Sequence, residues 1–186
     1  MRREIGDGED WSVSLSRRAL LAAGVSTVGS ALAGCSSLGR TPTPEQPFAT
    51  LDRQTVALDG VDLSVPNSVS TASEPADAGV VVVPGDTDRS PNRTAEWIAD
   101  GRVVALLGDD CGATWNSWVM TSAFATKFDV MGAEWGEPGA DLVVGGTVGL
   151  NLVTYGRTWE GTPSDSEIFR KLDSIASDIE DRTGGN

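Results

Sequence analysis

The spacing of apolar residues along this chain changes several times, and each change marks a separate element. Thr55-Val56-Ala57-Leu58 and Val61-Asp62-Leu63-Ser64-Val65 alternate on either side of Asp59-Gly60, which predicts a β-hairpin closed by a two-residue turn. Gly79-Val80-Val81-Val82-Val83 is a continuous β-branched run that stops at Pro84-Gly85, as expected of a strand buried on both faces. Ser90-Pro91 then offers a helix cap followed by a first-turn proline. Ala95, Trp97 and Ile98 supply an apolar face, and Gly101 is placed to end the helix. Residues 102–107 predict a second buried strand. Strand, helix and strand over so few residues form a βαβ unit, whose strands are expected to be parallel neighbours joined by a right-handed crossover.

Farther along, Trp115, Trp118, Val119, Ser122 and Ala123 fall at helical spacing and predict a helix over residues 114–127. Strands are expected over 128–135, 141–144 and 148–155. Thr162-Pro163-Ser164-Asp165 opens a last helix whose Ile168, Leu172, Ile175, Ala176 and Ile179 lie on one stripe. Its Arg170, Lys171, Asp173, Asp178 and Glu180 are expected to face water, with the end near Gly184. This order predicts an α/β fold: a layered sheet with a parallel βαβ core, antiparallel edge strands and a C-terminal amphipathic helix.

Ahead of these elements the pattern is different. Ser16-Arg17-Arg18-Ala19-Leu20-Leu21 resembles the twin-arginine export motif. The apolar stretch that follows, residues 19–34, is diluted by Gly24, Ser26, Thr27, Gly29 and Ser30 and is shorter than the roughly 20 apolar residues of a membrane span. It ends in Leu32-Ala33-Gly34-Cys35, which resembles the lipobox of bacterial and archaeal lipoproteins. Small residues there let a peptidase close on the backbone, and the Cys35 thiol receives the lipid. The resemblance implies a signal peptide over residues 1–34, handled by the twin-arginine machinery through Arg17 and Arg18, and a mature chain anchored by lipid on Cys35 to the outer face of the cell membrane. Residues 1–15 make a long leader, or mark a start codon placed too early. Residues 35–50, with Pro42, Pro44 and Pro47 and no apolar period, read as an extended tether, and 51–186 as a single α/β domain.

Charge narrows the partners. Of 186 residues, 27 are acidic, 14 basic and none histidine, for a net charge of -13. Removing residues 1–34 takes away four of each sign and leaves 23 acidic against 10 basic residues. Such an acidic mature chain, with Lys127 and Lys171 its lysines, resembles proteins of halophilic archaea, in which carboxylates hold hydration when salt screens repulsion. The same charge excludes nucleic acid as a partner and disfavours docking on anionic lipid.

Residues 80–112 resemble the core of class I glutamine amidotransferase-like domains: a strand ending in Pro84-Gly85, a helix, a second strand, and a cysteine-bearing turn, Gly108-Asp109-Asp110-Cys111-Gly112. The resemblance places Cys111 near a nucleophile elbow. A thiol nucleophile needs a base, normally histidine, and this chain contains none, so an intact amidotransferase is not expected and no catalytic residue is assigned. Asp86 and Asp88 follow the first buried strand and Asp109 and Asp110 the second. With parallel strands the four share the carboxyl edge, where they offer a candidate site for a divalent cation or ligand or, more simply, part of an acidic surface coat. No cofactor is expected, and without histidine or a cysteine cluster neither is zinc.

Trp97, Trp115, Trp118, Trp135 and Trp159 are expected to pack in the core, although a flat indole face can also stack on a sugar. Asn92-Arg93-Thr94 matches a glycosylation sequon at a helix start. Together these features predict a lipid-anchored, non-catalytic domain that binds a ligand or surface component. The alternative is a hydrolase using carboxylates or a metal.

Overall fold

A computed structural model describes residues 48–129 and 139–184. Among these residues six strands, β1 (Thr55–Leu58), β2 (Ser70–Thr71), β3 (Val80–Pro84), β4 (Val103–Leu107), β5 (Leu142–Val148) and β6 (Asn151–Arg157), form one sheet in the order β2-β1-β3-β4-β5-β6. The helices are α1 (Pro91–Ala99), α2 (Cys111–Val119), α3 (Ser122–Ala125) and α4 (Asp165–Gly184). The α/β class and its mixed sheet follow the reading of the sequence. Arg17, Arg18 and Cys35, with the signal segment and most of the tether, lie outside the described residues.

The βαβ unit forms the centre of the sheet. β3 and β4 run parallel in the register Val80↔Val103 through Pro84↔Leu107, with the first four residues of each buried. Side chains alternate between two cores. Val81, Val83, Val104 and Leu106 meet Ile98, Trp115 and Phe124 on one face, while Val80, Val82 and Ala105 meet Phe169, Leu172 and Ile175 on the other. Helices therefore cover both faces, as a buried parallel sheet requires. The connecting α1 stops where expected. Gly101 takes φ 85°, its amide donates to Ile98 at 3.0 Å and the Arg102 amide donates to Trp97 at 3.0 Å, the paired bonds of a left-handed helix cap.

β5 and β6 add the antiparallel edge, with the register running from Leu142↔Arg157 to Val148↔Asn151. Two consecutive glycines of β5 explain how closely the layers approach. A Cβ on Gly145 would lie 1.9 Å from the Trp115 ring, and one on Gly146 would lie 3.0 Å from Ile179 Cδ1 on the opposite face. Each glycine admits one large side chain from its own side.

Two expectations are corrected, and a third falls largely outside the described residues. No hairpin forms at Asp59-Gly60. β1 pairs in parallel with β3 instead, the Asp59 amide donates to Val82 at 2.9 Å, and residues 61–65 are not a strand. Gly60 takes φ 83° and turns the chain away from the sheet, so Leu63 and Val65 pack beside α4 rather than against β1. The single helix over 114–127 is two. The first starts at Cys111, and an extended Thr121, whose hydroxyl donates to Trp118 at 2.6 Å, separates it from α3. Of the strand over 128–135, residues 130–135 lie outside the described residues, and Asp129 makes an isolated bridge with Asn151.

The last helix begins with a reciprocal cap. The Ser164 amide donates to Glu167 Oε2 at 2.8 Å and the Glu167 amide donates to Ser164 Oγ at 3.3 Å; the Ser164 amide, with the Ser164 hydroxyl donating to the same oxygen, holds the Glu167 carboxyl below its ordinary range. Its apolar stripe is buried as expected, with Phe169 added. Its polar face is not simply wet. Asp173 accepts three backbone N–H groups, from Ala49 at 2.9 Å, Thr50 at 2.8 Å and Leu51 at 2.9 Å. Glu180 accepts from the Thr50 hydroxyl at 3.1 Å and pairs with Arg53 at 3.0 Å. Phe48, Thr50 and Leu51 are buried, so residues assigned to the end of the tether are packed.

Candidate functional site

The parallel strands bring Asp86, Asp88, Asp109 and Asp110 to one edge of the sheet, and all four residues are exposed. The loops carrying them press backbone against backbone. A Cβ on Gly85 would lie 2.1 Å from the Asp109 carbonyl oxygen and 2.8 Å from Cys111 Sγ. Among the described residues no group of three or more acidic, cysteine or histidine side chains is arranged to hold a metal ion.

The turn from β4 into α2 has a particular shape. Gly108 takes φ 94°, and Asp110 takes φ 62°, the one left-handed residue other than glycine among those described. Asp tolerates that region better than most residues because its short polar side chain can bond locally. Asp110 is thus the residue presented at the bend. Cys111 is the first residue of α2, with its thiol turned inward, where Sγ donates to the Gly108 carbonyl at 2.7 Å. Burial, its largest cause, pushes the thiol from 9.0 up to about 12, with Asp141 and Asp109 adding to the rise.

A thiol so raised stays protonated and unreactive at neutral pH. In the folded chain, Cys111 is therefore expected to resist iodoacetamide at pH 8 and to react fully once unfolded by denaturant; rapid labelling of native protein would contradict its placement. The sign of the linkage is fixed by the direction of the shift. The stability from the buried thiol is complete below its ordinary value and is lost as pH rises toward about 12.

An opening at this edge lies on the α4 side, where the chain leaves β4 at Leu107 and Gly108. It is a cleft of about 560 Å³ with apolar walls from Leu63, Leu107, Trp159, Pro163 and Ile168. Two carboxylates reach it. Asp141 Oδ2 accepts the Trp159 amide at 2.7 Å, and Asp165 Oδ2 accepts the Ser64 amide at 2.9 Å. Each carboxylate is held by the backbone of a loop that forms the cleft, and among the described residues no lysine or arginine lines it. An apolar cup with a few convergent, fixed polar groups is the usual form of a small-ligand site. The charge here suits a ligand with an apolar body and a hydrogen-bond donor or cationic group.

The sequence does not mark this cleft, because its residues come from four separate stretches. Local pattern places Leu63 in a hairpin and Asp165 at a helix start. Trp97, Trp115 and Trp118 are buried as expected, while Trp159 is only partly covered; Trp135 lies outside the described residues. Asn92 is exposed in the first turn of α1. No helix among the described residues is long and apolar enough to cross a membrane. No family model, curated protein or solved structure gives a significant match to the chain.

Proposed function

We propose that this chain is a lipid-anchored extracytoplasmic binding protein, exported folded by the twin-arginine route, cleaved before Cys35 and held on the outer membrane face by lipid on that residue. The observation that carries the reading is the succession Arg17-Arg18, a short diluted apolar stretch, and Leu32-Ala33-Gly34-Cys35. Twelve residues separate Cys35 from Phe48, where the packed domain is already engaged. A proline-rich segment of that length spans about 40 Å when extended, enough to lift the domain clear of lipid headgroups. Two acyl or alkyl chains on one cysteine anchor stably, whereas one is marginal.

A binding role for the exported domain is favoured over catalysis by the buried, strongly raised thiol of Cys111 and the lack of any histidine to activate it. The cleft beside β4 provides a ligand-sized cavity. A carboxylate- or metal-dependent hydrolase gains no support from Asp86, Asp88, Asp109 and Asp110, which are exposed at the rim of two tightly packed loops. The test is fractionation. The Cys35→Ser chain is expected to leave the membrane fraction after an alkaline wash, while the unaltered chain stays; equal retention of the two would overturn the anchor.

A further inference from the structure

Of the nine lysines and arginines among the described residues, five are ion-paired. Arg53, Arg89, Arg93, Arg102 and Arg182 each sit within 4.0 Å of a carboxylate. Of the four without such a partner, Lys127 is exposed elsewhere, while Arg157, Arg170 and Lys171 line one concavity of about 420 Å³, together with Trp159 and Glu167. Arg157 ends the edge strand β6, Trp159 follows two residues later, and Arg170 and Lys171 lie one turn beyond Glu167 on α4. The Glu167 carboxylate is already bonded to the Ser164 amide and hydroxyl, at 2.8 and 2.7 Å. Three cations therefore converge with one committed carboxylate, on a mature chain in which acids outnumber bases by more than two to one. Folding alone does not call for this. Unneutralised like charges repel, and carboxylates to pair them are abundant.

We propose that this concavity binds an acidic sugar unit, a pyranose bearing a carboxylate or sulfate, within a polysaccharide. The guanidinium groups of Arg157 and Arg170 suit planar, bidentate recognition of such an anion, and Lys171 adds a point charge. The partly covered Trp159 supplies an aromatic face at the wall for the apolar face of a sugar ring. An anionic bilayer offers the same charge, but its broad surface meets the acidic remainder of the domain and is repelled, whereas a single polysaccharide chain can reach the three cations without covering that remainder. The inference shares Trp159 with the cleft beside β4 but depends on neither that cleft nor the lipid anchor.

Titration calorimetry on the full chain in a non-ionic detergent tests it, using oligogalacturonate, a sulfated heparin-derived oligosaccharide, neutral malto-oligosaccharide and, separately, phosphatidylglycerol vesicles. At least one acidic oligosaccharide is expected to bind and the neutral one not to. Arg157→Gln combined with Arg170→Gln is expected to weaken that binding by about tenfold or more, the loss of charge-assisted hydrogen bonds. Arg93→Gln, which removes an ion-paired arginine on α1, should leave it unchanged. All these side chains are exposed, and an unchanged far-ultraviolet spectrum confirms folding. Failure of both acidic oligosaccharides to bind, binding undiminished in the double variant, or capture of the vesicles alone would overturn the proposal.

Discussion

Replacing Trp115 by alanine is expected to cost about 3–5 kcal/mol, the range for removing a large buried aromatic side chain, and to lower Tm by roughly 10–20 °C. The reason is where the ring sits. Trp115 is 1% exposed, packs edge-on against Phe124 at 5.9 Å and against Trp118 at 6.3 Å, and donates its indole N–H to Thr154 Oγ1 at 3.2 Å. Thr154 is the residue opposite Gly145 in the β5–β6 pair, so the indole is fixed over the position that has no side chain. A methyl group at Gly145 collides with the ring, and Gly145→Ala alone should therefore destabilise by about 1–3 kcal/mol through overpacking. Combining the two changes removes the clash, so the double variant should be more stable than the sum of the single losses implies. Strict additivity in urea denaturation would mean that the ring does not rest on Gly145.

Asp173→Ala is expected to be nearly as damaging although the residue lies on the polar face of α4. Its carboxylate accepts the amides of Ala49, Thr50 and Leu51, and losing it leaves two partly buried donors, those of Thr50 and Leu51, without their acceptor, along with the exposed one of Ala49. We expect a loss of about 2–4 kcal/mol, since bonds to a charged acceptor contribute more than neutral ones and a stranded donor costs its desolvation. Release of this segment also exposes Phe48 and Leu51, so limited proteolysis should cut near residues 48–53 in the variant and not in the parent. Asp173→Asn keeps one acceptor oxygen and should fall between. A stability change below about 0.5 kcal/mol, the size of an ordinary surface substitution, would contradict the clamp.

The clamp also bears on the proposed anchor. Were the domain held by lipid on Cys35, load would enter at Phe48, and Asp173 and Glu180 join the residues beside it to α4. The start of the fold is thus secured at the point where a tether would load it.

What the sequence revealed depended on whether local preference and tertiary pairing agreed. They agreed for β3 and β4, whose β-branched runs suit a strand covered on both faces, and for α1, whose glycine stop forms the expected cap. They agreed again for α4, where the apolar stripe and the Ser164 cap both point to a helix. They disagreed at Asp59-Gly60. The turn signal is real, since Gly60 does adopt a left-handed conformation, but β1 gains more by pairing with the buried β3 than by folding back on an alternating segment. β2 has two residues and no apolar pattern, so nothing local announced it. The helix over 114–127 is interrupted at Thr121, which is extended, and no glycine or proline in that stretch announced the break.

The candidate sites were less legible for a physical reason. The four aspartates were found because two strands and their loops are contiguous in sequence. The cleft and the basic concavity draw on β4, β6, α4 and irregular segments, and only the finished packing brings Asp141, Trp159 and Asp165, or Arg157 and Arg170, together. Asp173 gave no warning either, because a helical aspartate that accepts distant backbone amides has the same sequence pattern as one that faces water.

The proposed anchor is a lipid-modified thiol at Cys35, which intact-mass measurement of the membrane-extracted chain reports directly. The predicted result is a chain beginning at Cys35, heavier than its sequence by a glycerol-linked lipid, with that added mass on the N-terminal peptide. A chain that still carries residues 1–34, or one beginning at Cys35 with no added mass, would contradict it.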